Sequence, residues 1–554
     1  MTGVAGSKTK GGSRRLAEPS LPAPLARMFR QIVLWPIQIT TPGGAPVANA
    51  WRLFNQPGGE WKEVDDEFGD NASTPAERHY REFVTFLPYV QRLLYGDGER
   101  RETDAEPSVK TYRRHDVARV SVYLDDDRPI ELTVAHADLL FFQDTELAIL
   151  AFEIFAADLP INVVQDLLFR FGRAYPSGWT DEDHGMNCPR RVDLLGQSGE
   201  VLCVSDYEDK ARYLEQVGRK RIPSLASHWR FLLEPLIPFH DDKADGLCFR
   251  HLEGHRMPML SYLAVDGLDQ LTRADFVRLA FATGPGDRAQ LPYPERFLEN
   301  FERDHCYERY YDEGGRRDLS SRGMFSANTF IVVGDARRAI FTDEERGVLS
   351  QFRHQFFLIG LIAHFHKAAL LMMSERMVKA VAKLNVDDIE SVRRFRRETR
   401  QSMEFFLRFT HRYWVREVSE QPLAADLFRM FTRHLDTERM YGEAREELQD
   451  MVSYLDSDLL RRQSNSMLRL TVVTIIGLIG TTVTGFLGMN IFFLSEAHYL
   501  LKIGLFALVS TVFAVLTALT LIKSRALADF LDVLSAERLP FGAKLRLFRK
   551  LWRR

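Results

Sequence analysis

The sequence predicts an α/β cytoplasmic domain, then a long helical stalk, then two transmembrane α-helices. Three observations carry this. Strand-like and helix-like segments alternate from about residue 26 to Val333. From Thr342 the pattern turns helical and stays so up to Leu468. Two charge-free apolar runs then follow, Leu470 to Leu487 and Ile503 to Ile522, each about the length that crosses a hydrocarbon core of roughly 30 Å.

Length and composition set the frame. A chain of 554 residues can hold several domains, and a net charge of −3 gives no basic excess that would point to nucleic acid. Cys188, Cys203, Cys248 and Cys306 are scattered, with no CxxC pair, so they read as reduced and mostly buried thiols rather than a zinc ribbon or a disulfide framework. The start, MTGVAGSKTKGGSRR, lacks the apolar core of a secretory signal. Residues 1–25 read as a disordered tail, with a transit peptide as the less favoured alternative.

Residues 26–341 form the expected α/β domain. VARVSVYL, PIELTVA, LAILAFEIF and NTFIVVG are rich in β-branched and aromatic residues and read as strands, while LPINVVQDLLFRFGRAY reads as a helix. Asp125–Asp127 fall between two strands and suit a turn better than a metal site. Residues 342–466 are helical. Within them FFLIGLIAHFHKAALLMM, Phe356 to Met373, is apolar but carries His364, His366 and Lys367 at its centre. Ionisable groups there are costly in lipid, so this is expected to be a buried helix of the soluble domain. The two histidines, two residues apart, point to different helix faces and suit packing or hydrogen bonding rather than a shared metal. ESVRRFRRETRQSMEFFLRFTHRYW is charged and aromatic at helical spacing, and Pro422 breaks the run. A single helix from about residue 424 to 487 is expected beyond it, about 95 Å long.

Charge sets the orientation. The segment between the spans, Ile491 to Leu500, has no Lys or Arg, whereas Arg461, Arg462 and Arg469 precede the first span and Lys523 and Arg525 follow the second. The positive-inside rule puts both termini in the cytoplasm and the loop 491–501 outside. The tail 524–554 ends AKLRLFRKLWRR. It can rest on anionic lipid through Leu545, Phe548, Leu551 and Trp552, or serve only to hold the topology.

The tripeptide GMN occurs twice. Gly185–Asn187 sits among Asp181, Glu182, Asp183, Arg190 and Arg191 and reads as a surface loop; His184 and Cys188 lack a second ligand pair. Gly488–Asn490 ends the first apolar run. In the helix leading to it, positions 467, 470, 474, 478, 481, 485 and 488 recur every three or four residues and form one stripe. That stripe carries Thr474, Thr481, Gly485 and Gly488, and the opposite side is mostly Val, Ile and Phe. Small residues on one stripe also let two helices pack closely, and without the GMN that would be the favoured reading.

A large cytoplasmic domain, a long helix, two closely spaced C-terminal spans with GMN ending the first, and a basic tail together resemble the CorA family of magnesium channels and transporters. The resemblance is strong over roughly the last hundred residues and extends weakly to about residue 340. It implies a funnel-shaped homopentamer in the plasma (inner) membrane, with the first span, 467–490, lining a central pore and the second at 502–523. It maps the family's narrow hydrophobic stretch onto Met467, Leu470 and Leu478, its pore threonine onto Thr481 and its pore glycine onto Gly485. It makes Gly488, Met489 and Asn490 the selectivity filter. The family's outer loop commonly reads MPEL; here it has Leu494, Ser495, Glu496 and Ala497, and the aromatic often found before GMN is Leu487. Glu496 keeps an acid able to concentrate cations at the mouth.

The chemistry fits a hydrated divalent cation. Mg2+ dehydrates reluctantly and keeps several waters. A ring of five Asn490 amides would accept hydrogen bonds from those waters without stripping them, Gly488 would permit the tight backbone that ends the helix, and Met489 would support the filter by packing. Rings of Met467, Leu470 and Leu478 would gate by dewetting. A doubly charged ion gains about 4.6 kcal/mol on entering across 100 mV, so uptake needs no ATP, and no Walker motif is present. The family also senses internal magnesium at acidic cytoplasmic sites, for which Asp450, Asp456 and Asp458 are candidates by charge and position, against the alternative of a solvated helix face. The expectation is therefore a non-enzymatic channel for divalent cations, chiefly Mg2+, with Mg2+ as cargo and regulator and no catalytic cofactor. The rivals are a zinc, cobalt or nickel transporter of the same superfamily, disfavoured by Met489, and a membrane-anchored sensor or enzyme, for which the soluble part offers no nucleophile–base or metal-ligand set.

Overall fold

A computed structural model describes residues 24–42, 47, 49–55, 59–64, 77–96, 108–124, 128–239, 246–311, 320–386, 388–488 and 498–522. The chain divides into two compact units, 1–445 and 446–554. The expected N-terminal tail up to residue 23, the Asp125–Asp127 turn, Met489, Asn490, the outer loop with Glu496 and the tail from residue 523 lie outside the described residues.

The first unit is built on one mixed sheet. Its strands are β1 (Leu25–Thr40), β2 (Trp61–Glu63), β3 (Val109–Arg114), β4 (Arg119–Tyr123), β5 (Ile130–Phe142), β6 (Leu147–Pro160), β7 (Arg191–Leu195), β8 (Val201–Val204), β9 (Ile237–Pro238), β10 (Cys248–His251), β11 (Met259–Val265), β12 (Cys306–Tyr310), β13 (Ser321–Phe325) and β14 (Thr329–Asp335). The main path runs β12-β13-β14-β11-β1-β6-β5-β4-β7-β8. β1 lies at its centre, antiparallel to β6 and β11, with Gln31 opposite both Ile154 and Ser261. β11 and β14 are parallel, Met259 opposite Thr329. The four strand segments expected from the sequence form β4, β5, β6 and β14, and the expected helix is α3 below.

Helices cover the sheet on both faces. The helices of the first unit are α1 (Glu77–Thr85), α2 (Pro88–Tyr95), α3 (Ile161–Arg170), α4 (Lys210–Lys220), α5 (Ser227–Leu232), α6 (Arg273–Phe281), α7 (Glu295–His305), α8 (Val348–Gln351), α9 (Phe357–Ala382), α10 (Ile389–Arg408) and α11 (Pro422–Leu435); α12 (Thr437–Gly488) runs on into the second unit, which also holds α13 (Tyr499–Ile522). Alternation along β1 separates the two faces, because successive side chains of a strand point opposite ways. Phe29, Val33, Trp35 and Ile37 join the core beneath α3 and α5, where Trp35 meets the Trp229 ring edge-on at 6.0 Å. On the other face lies α9, with Phe142 of β5 stacked on Phe365 at 3.7 Å and Leu260 of β11 pressed against Gly360.

α9 is long and apolar enough to cross a membrane by length and composition, yet most of it is buried inside the first unit. Lys367 and His366 at its centre have protein partners. Lys367 Nζ lies 3.2 Å from Glu253 Oε2, and the ring of His366 is 2.8 Å from the carbonyl of Tyr413. His364 Nδ1 lies 4.0 Å from Glu253 Oε1. Burial pushes the Glu253 carboxyl up, against the pull of Lys367. On β6, Glu153 is held by Arg30 at 2.6 Å and Arg353 at 3.2 Å. Burial alone would raise its carboxyl, but the two guanidiniums hold it below the usual range.

The single helix expected from 424 to 487 is two helices. Pro422 opens α11, as its pre-set φ favours the first turn. α11 then stops at Asp436, whose backbone is left-handed (φ 57°, ψ 30°). Asp is among the few residues other than glycine that adopt this conformation cheaply, so no Gly or Pro announced the break. α12 starts at once and runs 52 residues, about 78 Å.

The first GMN is a structured turn. Gly185 bridges to Trp179, Asn187 has φ 63° and donates to Ser177 Oγ at 2.7 Å, and His184 faces Glu208 at 3.1 Å. Neighbouring Cys188 is buried, and burial pushes its thiol up to about 12, the behaviour of a packed, inert cysteine. All four cysteines are free, and all but Cys203 are buried.

Candidate functional site

The stripe singled out in the sequence lies on the second unit, in the C-terminal half of α12. Met467, Leu470 and Leu478 are 64%, 68% and 66% exposed. Thr474, Thr481 and Gly485 are exposed as well, so this face has no protein cover among the described residues. Large apolar side chains left bare at this spacing mark a surface that meets something else.

The threonine hydroxyls are already committed as donors. Thr474 Oγ1 donates to the Leu470 carbonyl at 2.8 Å and Thr481 Oγ1 to the Gly477 carbonyl at 2.9 Å. Thr471 and Thr482, beside the stripe, do the same to Met467 and Leu478. A hydroxyl that has spent its proton on the backbone keeps its oxygen lone pairs as acceptors. Thr474 and Thr481 therefore offer acceptor oxygens on a face that also carries the exposed Met467, Leu470 and Leu478.

A different face of α12 meets α13. Gly480 lies against the ring of Phe513. Val472, Val473 and Thr484 are half-buried, while the stripe is not. Close packing of the two helices thus uses Gly480 and leaves Gly485, where an added methyl would meet nothing within 4 Å, open. Sequence reasoning passed over Gly480; the signal was its place four residues before Thr484 and seven after Val473, a helix face of its own. α13 is apolar around its circumference, and Phe506, Leu508 and Val512 are among its exposed residues.

Gly488 is the last residue of α12, so the helix ends where the second GMN begins, while Met489 and Asn490 lie outside the described residues. Asp450, Asp456 and Asp458 are on α12; the first two are exposed and the third is half-buried. Their spacing of six and two residues turns them to different sides of the helix. Among the described residues no group of three or more His, Cys, Asp or Glu side chains is placed to hold a metal ion.

Comparison with known proteins gives two findings and one blank. Residues 373–523, from within α9 past the end of α13, match the family described as CorA-like Mg2+ transporter protein. None of the curated proteins compared matches the chain. Among solved structures, the chain is similar to the complete structure of a CorA magnesium transporter from Methanocaldococcus jannaschii, at 12% identity over 49% of this chain and 94% of that one, with a TM-score of 0.18. A score that low carries no argument about fold, and the assignment rests on the family match and the residues that led to it. Residues 373–523 of this chain are thus similar to the CorA-like Mg2+ transporters.

Proposed function

We propose that the chain is a divalent-cation channel that admits Mg2+ down its electrochemical gradient through a pore at the axis of a homopentamer. The observation that carries this reading is the match over 373–523 to CorA-like Mg2+ transporters, within which GMN follows directly on a helix whose small-and-apolar stripe is bare. In this reading α12 and α13 each cross the membrane, with both chain termini in the cytoplasm. Five copies of the stripe face one another. Met467, Leu470 and Leu478 form hydrophobic constrictions that close by dewetting, and Thr474 and Thr481 supply acceptor oxygens between them. Gly485 and Gly488 keep the wall narrow, Met489 packs behind the filter, and Asn490 amides accept hydrogen bonds from the ion's retained waters. Glu496 raises the cation concentration at the outer mouth, and Asp450, Asp456 and Asp458 contribute to sensing of internal Mg2+. No catalytic step or resident cofactor is required.

The test is Mg2+ influx into sealed liposomes holding the purified chain, wild type against Asn490→Ala. Influx that requires Asn490 supports the filter. No influx of Mg2+ from assembled, internally Mg2+-free wild type, with influx of Zn2+, Co2+ or Ni2+ instead, would replace Mg2+ as the cargo. No influx of any of them would leave an anchored sensor or enzyme.

A further inference from the structure

α9 and α10 form a hairpin whose end is basic and apolar at once. Six residues, 383–388, join α9 to Ile389, and Ser391 ties the connection down. Its hydroxyl donates to the Lys383 carbonyl at 2.9 Å and accepts from the Asn385 amide at 2.8 Å. α10 buries Val392, Phe395, Thr399 and Ser402 on one side. On the opposite side Arg393, Arg397 and Arg400 fall at i, i+4 and i+7, flanked by Arg394 and Arg396, and all five are exposed. The three carboxylates of α10, Glu390, Glu398 and Glu404, offset the five arginines only in part. Glu390 lies 3.6 Å from Arg393 and Glu404 lies 3.2 Å from Arg400, both largely exposed pairs. Arg394, Arg396 and Arg397 have no ion-pair partner among the described residues. On the same hairpin end Val378, Val381 and Val386 are 64%, 51% and 64% exposed.

We propose that this hairpin end docks on an anionic phospholipid surface. The cluster of guanidiniums calls for a partner dense in negative charge, and Arg is well matched to phosphate. The three bare valines argue for lipid over an acidic peptide, because side chains that insert at a headgroup layer gain by leaving water while charges beside them stay at the surface. The proposal rests on the membrane reading above in one respect only: that reading puts a bilayer on the same chain.

The test is hydrogen exchange of the full chain with neutral phosphatidylcholine bilayers and with bilayers that also contain phosphatidylglycerol. Amides of 378–386 and 389–400 are expected to exchange at least about tenfold more slowly with the anionic lipid, and to lose that protection in about 0.5 M salt. Arg393→Gln/Arg397→Gln/Arg400→Gln should abolish it, and the matching triple Lys variant should keep most of it. Equal exchange in the two lipids overturns the proposal. So does protection by added polyglutamate in neutral bilayers with none from phosphatidylglycerol, which would assign the face to an acidic protein segment. Amides of 470–485 and 503–515, read in the same samples, report separately on whether α12 and α13 enter the bilayer. Slow exchange there in both lipids, with no lipid effect on the hairpin, refutes the docking alone; fast exchange there refutes the spans and leaves the hairpin result to be judged by itself.

Discussion

Gly480 of α12 and Phe513 of α13 meet so closely that a Cβ added to the glycine would lie 3.2 Å from the Phe513 ring. The two helices approach at a residue without a side chain, the usual way for helices to pack where apolar burial offers little gain. Gly480→Ala should be tolerated after a small movement of the ring. Gly480→Leu should force the helices apart at an overpacking cost of about 1–3 kcal/mol. Thermal melting of the detergent-solubilised chain checks this, and equal melting temperatures for the Leu variant and wild type would sink it.

Thr481 donates to its own helix at Gly477, so its contribution to the proposed pore is an oxygen lone pair. Thr481→Val keeps the shape and removes the acceptor. Influx should fall by roughly tenfold, the worth of about one hydrogen bond, with stability little changed. Thr481→Ser, which keeps the oxygen, should restore most of the flux. If Val conducts as wild type does, Thr481 does not touch the hydrated ion.

Five histidines of the first unit, three buried (His228, His364, His366) and two half-buried (His251, His434), are held in neutral form. Burial holds His228 and His364 down to about 3, and His251 and His366 to about 4. Burial, reinforced by His305, holds His434 to about 4. Their folded values lie below the unfolded value of 6.5, so between about pH 4 and 6.5 the unfolded chain binds more protons. Stability must then rise with pH in that window and drain away as pH falls from 6.5, by up to about 1.4 kcal/mol per pH unit for each such group. Urea midpoints measured from pH 5 to 7 should climb. His366→Phe should flatten the climb by about one proton's worth; an unchanged slope would mean that His366 is charged in the folded chain.

Lys367 and Glu253 are both well covered, and removing one leaves the other uncompensated. Lys367→Met should cost about 3 kcal/mol at neutral pH. Combining it with Glu253→Gln should recover much of that loss, because the orphaned charge is gone. Denaturation of the two variants against wild type separates the cases; additive losses would show that the pair is not coupled.

Asp436 holds the left-handed turn between α11 and α12, and its carboxylate accepts from Arg439 Nε at 2.6 Å. Asp436→Gly should be near neutral in melting temperature, since glycine takes this backbone freely. Asp436→Val should destabilise by about 1–2 kcal/mol, as a β-branched residue resists positive φ. A stable Val variant would show that α11 and α12 can join into one helix.

These particulars mark how far pattern reading reaches. The segments that became β4, β5, β6 and β14 were visible because β-branched and aromatic residues concentrate in strands. The buried nature of α9 was visible because His364 and Lys367 make a poor lipid-facing surface. The break at Asp436 was not, because the residue tolerates the turn without advertising it. Nor was the bare basic face of α10 singled out. Its arginines read as ordinary helical charge until the structure showed which side Phe395 buries and how few carboxylates reach them.

By itself the sequence determined the local choices: helix or strand by period, the two charge-free runs near the C-terminus, and the stripe leading to the second GMN with its likeness to CorA. Each of these depends on residues close together along the chain, where spacing is geometry. Only the tertiary structure decided which faces are covered. It set Glu153 between Arg30 and Arg353, paired Glu253 with Lys367, put Gly480 rather than the stripe against Phe513, and left Met467, Leu470 and Leu478 open. Those relations join residues far apart in sequence, and burial is a property of what packs across from a side chain, which no local pattern contains.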